Sequence, residues 1–437
     1  MNRFLPLLGV TAALLAGCAT STWTAPGAPQ VARPTTVARV SVLPGDTPET
    51  LARALGGTVL SWPEADCAEA CVALIGLEAP PVRGLQALGG RTVQQEANRD
   101  VFGGGGAVTA VMNGSMSMWA GGSMSMWAGG SMSMWAGGSY AMLPQNTALW
   151  QKIGLEQAQG MARNLGSGVT VAVIDSGIDL AHPAFAGALT PPSTWKDFYG
   201  GDARPQEEGV AGQGAYGHGT NVAGIVLQVA PRAKILPLRV LGPDGSGDVV
   251  MVAQAIDYAV AQGARVINLS LGSDQNSPTV QDAVRRATEA GVLVVSSAGN
   301  NDMDRLTSPA SLAETKGTLG NHLLSVGSVD LRDLKSSFSN YSTNLELVAP
   351  GEAVSAPAPD GRVAAWSGTS MAAPMVTGGL ALALGEPLKV SLSDLSRKMA
   401  DSAFNVYANG ANSAYKDRLG TKGRLDLPAF LTSVLRN

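Results

Sequence analysis

The chain has 437 residues, with 30 basic against 34 acidic side chains and a formal charge of −4. Charged residues make up 15% and apolar ones 45%, where ordinary soluble domains carry roughly 25% charged residues. This composition excludes an intrinsically disordered chain, and without a net basic field nucleic acid is not expected as a partner.

Residues 1–18 read as an export signal. Arg3 opens it, and residues 4–16 form an uncharged, mostly apolar run, shorter than the about 20 residues that span a bilayer. The run closes on Leu15-Ala16-Gly17-Cys18. Small residues before a cysteine resemble the lipobox of bacterial lipoproteins, which implies acylation of Cys18 and a membrane contact through that lipid before processing. The alternative is an ordinary secretory signal. Either reading implies export to the cell envelope or the medium. In such a compartment Cys67 and Cys71, four apart, are candidates for a local disulfide. No histidine lies near them, which argues against a metal site.

Residues 19–36, rich in Pro, Ala and Thr, read as a tether. From residue 37 to 100 the pattern predicts a small α+β unit. Ala38, Val40 and Val42 alternate with polar neighbours as in a half-buried strand. Residues 48–55 then read as helix, 58–61 as extended, 71–77 as an apolar strand, 82–88 as a short helix and 91–95 as a last strand. This β-α-β-β-α-β order is that of a ferredoxin-like fold.

Residues 101–143 read as a Gly-rich linker. It holds three copies of Ser-Met-Ser-Met-Trp-Ala-Gly-Gly, starting at Ser115, Ser123 and Ser131. A period of eight with two glycines per unit fits no helix and is too short for a solenoid. Its Met and Trp content is unusual for a solvated linker, and could lie against a groove or be presented to a protease.

From 144 to 437 apolar runs of strand length, at 169–174, 234–241, 265–271 and 292–298, alternate with helical stretches at 218–227, 249–262 and 280–290. Near-continuous apolar strands between helices predict an α/β fold: a doubly wound, mostly parallel sheet covered on both faces. In such sheets ligands bind beyond the carboxyl ends of the strands. Asp175 follows the first run, Ser270-Leu271-Gly272 ends the third, and Gly299-Asn300 ends the fourth. His218 and Ser370 each open a helical stretch after a glycine-containing turn. Asp, His, Ser and Asn are thereby delivered to one rim. A serine hydroxyl becomes a nucleophile when an imidazole takes its proton, and a carboxylate fixes that imidazole's tautomer. An amide such as Asn300, with the Ser370 N–H, can stabilise an oxyanion.

Asp175-Ser176-Gly177, His218-Gly219-Thr220 and Gly368-Thr369-Ser370-Met371-Ala372-Ala373-Pro374 resemble the three signatures of subtilisin-like serine proteases, in that family's chain order. Ser297-Ala298-Gly299-Asn300 is similar to its oxyanion segment. The resemblance covers residues 144–435 and implies a serine endopeptidase acting on polypeptides through an acyl-enzyme. Asp175, His218 and Ser370 would form the triad, and Asn300 with Ser370 the oxyanion hole. It also implies that Gly245-Ser246-Gly247 and Ser270-Leu271-Gly272 pair with an extended peptide, and that Ser297, Ala298 and Gly299 line the first specificity pocket. By pattern and position, residues 37–100 resemble the family's inhibitory propeptide, which implies a self-processed zymogen with its own propeptide as a partner.

The chain also departs from that pattern. The helix from His218 runs on without the loop that holds the family's strong calcium ion, and Ala184 stands where members with that site place an aspartate. No cofactor is expected, and that calcium site is expected to be absent. His182 reads as a structural histidine in a turn and His322 as a surface residue. The segment 242–247 lacks the glycine spacing of nucleotide loops. The rival readings are a non-catalytic, surface-anchored binding lipoprotein and a peptide ligase using the same acyl-enzyme.

Overall fold

The computed structural model describes residues 33–63, 71–78, 87–88, 91–103, 143–211, 213–314, 317–408, 410–420 and 423–436. Cys18, Cys67 and the octapeptide repeats lie outside them. Among the described residues no helix is long and apolar enough to cross a membrane.

The N-terminal unit begins with β1 (Thr36–Ser41), α1 (Pro48–Leu55), β2 (Thr58–Ser61) and β3 (Val72–Leu77). Helix α1 starts at a capping box in which Thr47 and Thr50 bond reciprocally, meeting two of its otherwise orphaned N–H groups. Next come the short β4 (Ala87–Leu88) and β5 (Arg91–Ala97). The sheet order is β2-β3-β1-β5-β4, all neighbours antiparallel. The helix expected over residues 82–88 is thus corrected at its end: Ala87 and Leu88 pair with β5 as a strand, and 82–86 lie outside the described residues. Cys71 is disulfide-bonded.

Alternation in β1 is incomplete for a physical reason. Ala38 and Val40 pack with Leu51 of α1, while Val37 on the other face packs with Leu74 and with Val250 of the larger domain. Both faces of this sheet are covered, so apolar residues are buried on each: Ala38 and Val40 on one, Val37 and Leu74 on the other. Strand β6 (Asp100–Gly103) then leaves the unit. Residues 101–103 are therefore strand and not linker.

The larger domain opens with helices α2 (Thr147–Lys152) and α3 (Leu155–Met161) and strand β7 (Thr170–Asp175). After β8 (Lys196–Asp197) come α4 (His218–Val229), β9 (Lys234–Arg239), β10 (Ser246–Asp248) and α5 (Val249–Ala261). Then follow β11 (Val266–Leu269), β12 (Leu271–Gly272), α6 (Pro278–Glu289) and β13 (Leu293–Ser297). Next are α7 (Thr318–His322), β14 (Leu323–Val329), β15 (Leu347–Pro350) and the antiparallel hairpin of β16 (Val354–Ala358) with β17 (Arg362–Trp366). Helices α8 (Thr369–Leu384) and α9 (Leu392–Asp401), strands β18 (Phe404–Asn405) and β19 (Gly423–Arg424), and α10 (Leu427–Val434) complete it.

The central sheet runs β18-β19-β15-β14-β13-β11-β7-β9-β8, parallel except where β18 meets β19. Along β7, Val171 and Val173 join the core that holds α4 and α8, while Ala172 and Ile174 join the core under α5 and α6. Every residue of α4 is buried. By contrast α6 buries Val280, Ala283, Val284 and Ala287, one stripe at helical spacing. So α4 and α8 are interior helices, and α6 is a surface one. Strands β14 and β15 extend the sheet beyond the four runs read from the sequence.

Candidate active site

Asp175 ends β7, between β11 and β9 in the sheet, and is fully buried. Its Oδ1 accepts the Ser176 N–H at 2.7 Å and lies 2.7 Å from His218 Nδ1. Glycines make this approach possible. Gly177 turns the chain at φ +103°, and a Cβ on Gly219 would sit 2.1 Å from the Gly177 carbonyl oxygen. Any larger residue at 219 would push the start of α4 away from Asp175. His218 is buried, with Trp366 edge-on to its ring at 5.8 Å. Burial opposes charge on this imidazole, but the charge of Asp175 and its hydrogen bond outweigh that and hold His218 above its usual value. Its Nε2 makes no hydrogen bond among the described residues.

Ser370 is the second residue of α8, where N–H groups lack helical acceptors and the helix dipole favours negative charge. Pro374 lies four residues on, inside the helix. It has no N–H for the Ser370 carbonyl. Ser270 Oγ supplies the missing donor at 2.9 Å, and the Ser370 hydroxyl donates to the Ser270 carbonyl at 3.3 Å. Ser270 is itself held by Asn268 Nδ2 at 3.0 Å, and Asn268 Oδ1 accepts from Thr377 of α8 at 2.8 Å. The Ser370 hydroxyl is thus turned to Ser270 and is not bonded to His218.

Asn300 follows β13. Its Oδ1 accepts both the N–H and the hydroxyl of Thr369, each at 2.9 Å. Two donors on the oxygen fix which edge of the amide carries the NH2 group. Gly299 is at φ +106°, and a Cβ there would meet Asn340 Nδ2 at 2.4 Å. The strand-end glycine is what lets Asn300 reach Thr369, beside Ser370. Ser297 and Ala298 are buried just before it.

Residues 166–423 match the Subtilase family. The chain belongs to the subtilase family. It is 36% identical over 281 residues to thermitase of Thermoactinomyces vulgaris, covering 61% of this chain and 93% of thermitase. It is 39% identical over 229 residues to subtilisin Savinase of Lederbergia lenta, covering 50% of this chain and 76% of that protein. With a thermophilic serine proteinase of Bacillus sp. (strain AK1) it shares 39% over 226 residues, 49% of this chain and 52% of the other. This subtilase is a serine-type endopeptidase.

In the subtilase, β6 lies between β10 and β12, antiparallel to both. Phe102 is opposite Ser246 and Gly272, Val101 opposite Gly247, and Gly103 opposite Leu271. The two segments expected to sandwich an extended peptide thus sandwich one supplied by the chain itself. Val101 is buried, in the cluster that includes Leu241 and Leu271. A Cβ on Gly247 would lie 2.3 Å from the Val240 carbonyl oxygen and one on Gly272 2.7 Å from Thr307 Oγ1, so both edges need glycine. Gly245 makes the turn before β10 at φ +82°.

The N-terminal unit docks on α5 and α6. Glu96 accepts the Thr279 N–H at 2.8 Å at the start of α6, and Arg39 pairs with Asp282 of that helix. Gln254 of α5 donates to the Leu60 carbonyl at 3.0 Å.

His182 is a buried turn histidine. Its Nδ1 accepts from Ala184 N–H at 3.1 Å, its Nε2 lies 3.0 Å from the Arg362 carbonyl, and burial holds it below its usual value. His322 corrects the reading as a surface residue. It is buried at the end of α7, where its Nδ1 meets the Thr318 carbonyl at 2.9 Å. Two groups escaped the sequence reading. Thr369, inside a recognised motif, orients Asn300. Glu207, in a loop with no periodic pattern, joins the Asp175 and His218 motifs, and only an acidic residue in a loop preceding His218 marked it.

Proposed function

We propose that this endopeptidase uses Ser370 as nucleophile, His218 as general base and then acid, and Asp175 to orient the imidazole. We further propose that it is made as an exported, self-inhibited precursor. The 2.7 Å contact of His218 Nδ1 with Asp175 Oδ1 carries the catalytic reading. It holds the proton on Nδ1 and leaves Nε2 basic. A turn of the Ser370 side chain from the Ser270 carbonyl to Nε2 readies the hydroxyl. As Oγ bonds to the substrate carbonyl carbon, its proton passes to Nε2. The oxyanion is met by the Asn300 amide and the Ser370 N–H. Collapse breaks the C–N bond, His218 protonates the departing amine, and water hydrolyses the acyl-enzyme by the same route.

Strand β6 in the groove supports self-inhibition, because an extended segment there excludes a substrate strand. The sequence of residues 1–18 supports export with a lipid on Cys18. That anchor and the protease domain flank the repeat segment, so a cut within residues 107–145 would release a soluble enzyme.

Hydrolysis of a peptide library, with and without a serine-directed covalent inhibitor, tests the chemistry. Cleavage that is inhibitor-resistant or survives Ser370→Ala refutes the triad. Mass spectrometry of wild type and Ser370→Ala tests processing. A shorter, lipid-free form is expected only for wild type, and identical processing of both excludes self-cleavage.

A further inference from the structure

Glu207 is a carboxylate buried to 3% exposure, without a cationic partner among the described residues. It lies in the loop between β8 and α4. The loop is pinned beside the Asp175 motif: Ile178 N–H donates to the Pro205 carbonyl at 2.9 Å and Glu207 N–H to the Ile178 carbonyl at 3.1 Å. A Cβ on Gly177 would meet that Pro205 oxygen at 2.8 Å.

Four donors converge on its side chain. Oε1 accepts the Ser176 hydroxyl and the Gly217 N–H, the latter at 2.8 Å. Oε2 accepts the Thr220 hydroxyl and, at 3.1 Å, the Thr220 N–H. Neither hydroxyl can reverse its role without loss. Ser176 Oγ already accepts the Gly219 N–H at 2.9 Å, and Thr220 Oγ1 the Asp179 N–H at 2.9 Å. Their protons are therefore committed to Glu207, and the ionised carboxylate is the form that satisfies all four donors. Ser176 adjoins Asp175, while Gly217 and Thr220 bracket His218.

We propose that Glu207 is a positioning residue for peptide hydrolysis, whose ionised side chain fixes Asp175 and His218 relative to each other and adds negative field at the imidazole. This rests on the Asp175–His218–Ser370 reading. The titratable groups that act on or feel Glu207 are Asp175 at the end of β7, His218 on α4 and Tyr216 on its own loop, and Thr220 links it to the Asp179 N–H. Arg239 of β9 binds the Gln206 carbonyl, Asp197 and Glu208 instead. Burial foremost, with the charge of Asp175 adding to it and the hydrogen bonds opposing, pushes Glu207 up to about 7. The network is therefore sensitive to pH near neutrality. Protonation turns one acceptor position into a donor facing donors.

The experiment compares wild type, Glu207→Gln, Glu207→Asp and Ser370→Ala as full chains allowed to process, with active sites counted by a serine-directed covalent inhibitor. A Gln side chain cannot accept four bonds. For Glu207→Gln, kcat is expected to fall about ten- to a hundredfold per titrated site, with KM nearly unchanged. The acidic limb of kcat/KM should move to lower pH, because His218 loses a neighbouring negative charge. Glu207→Asp keeps charge and acceptors, so it should retain the wild-type limb and more of kcat. A Glu207→Gln enzyme with wild-type kcat and limb overturns the proposal, as does one changed only in thermal stability. Should Glu207→Gln yield no titratable sites, Ser176→Ala decides. With one donor removed, Glu207 takes its proton at higher pH and the limb should move upward; an unmoved limb with unchanged kcat overturns the proposal. Hydrolysis by Ser370→Ala would instead overturn the triad reading.

Discussion

Ser270 and Ser370 are joined by a reciprocal pair of hydrogen bonds, each hydroxyl donating to the other's main-chain carbonyl, at 2.9 and 3.3 Å. The pair exists because Pro374 deprives the Ser370 carbonyl of its helical donor. It ties the edge after β11 to the proposed nucleophile. Ser270→Ala leaves that buried carbonyl without a donor. It is expected to lower stability by about 1–3 kcal/mol, measured as a shift in urea midpoint at constant m in a Ser370→Ala background. An unchanged midpoint would show that the carbonyl finds another donor.

Asp175→Asn should lower kcat by about 10⁴, the size of effect expected when an amide in place of the carboxylate fixes the wrong imidazole tautomer. It also has a pH signature. Because the native state holds His218 above its usual value, the stabilisation from Asp175 is fully present below the unfolded histidine value, about 6.5. It is lost as pH rises through the native value. In a Ser370→Ala background, the destabilisation by Asp175→Asn should therefore be larger in mildly acidic than in alkaline urea titrations. Equal midpoint shifts across that range would contradict the pairing.

Asn300→Ala removes the proposed side-chain oxyanion donor and should lower kcat by about 10²–10³ with little change in KM, the range known for subtilisin. Thr369→Val removes one of the two donors that orient the amide. A smaller loss of the same kind is expected, and the double variant should be no worse than Asn300→Ala. Additive losses would mean that Thr369 acts by another route.

Glu96 binds the N-terminus of α6 and is buried there. Glu96→Ala should weaken docking of the N-terminal unit by about 1–2 kcal/mol, a roughly tenfold change in the fraction of open groove. If the full-length chain is the self-inhibited form proposed above, active enzyme should then appear with a shorter lag from the purified full-length protein. A lag equal to that of wild type would mean that docking does not limit activation.

Helix α4 runs unbroken from His218 to Val229, and Ala184, which stands where family members with the strong calcium site place an aspartate, is a buried apolar residue. Tight calcium sites need six to eight oxygens. We propose that no tight calcium ion supports this region, and a chelator should shift the melting temperature of the Ser370→Ala protein by less than about 2 °C, under 1 kcal/mol for a domain of this size. A large fall reversed by calcium would disprove it.

The amino-acid sequence by itself determined the order of strands and helices around Asp175, His218, Asn300 and Ser370. Apolar runs of strand length and glycine-flanked polar residues at their ends are local signals, written within a few residues of one another. The alternation in β7 between two cores is the same signal seen from inside. Tertiary structure alone decided the occupant of the groove and the role of Glu207. Strand β6 is four residues long and becomes a strand only because β10 and β12, far along the chain, offer their unpaired edges. Glu207 reads as one more solvated acid of a glycine-rich loop until folding brings Ser176, Gly217 and Thr220 around it. His322 shows the reverse error, since a polar residue in a short helix gives no sign of the core that closes over it. Hydrogen-bond donors and strand edges recruit partners through space, and a pattern confined to neighbouring residues carries no record of that distance.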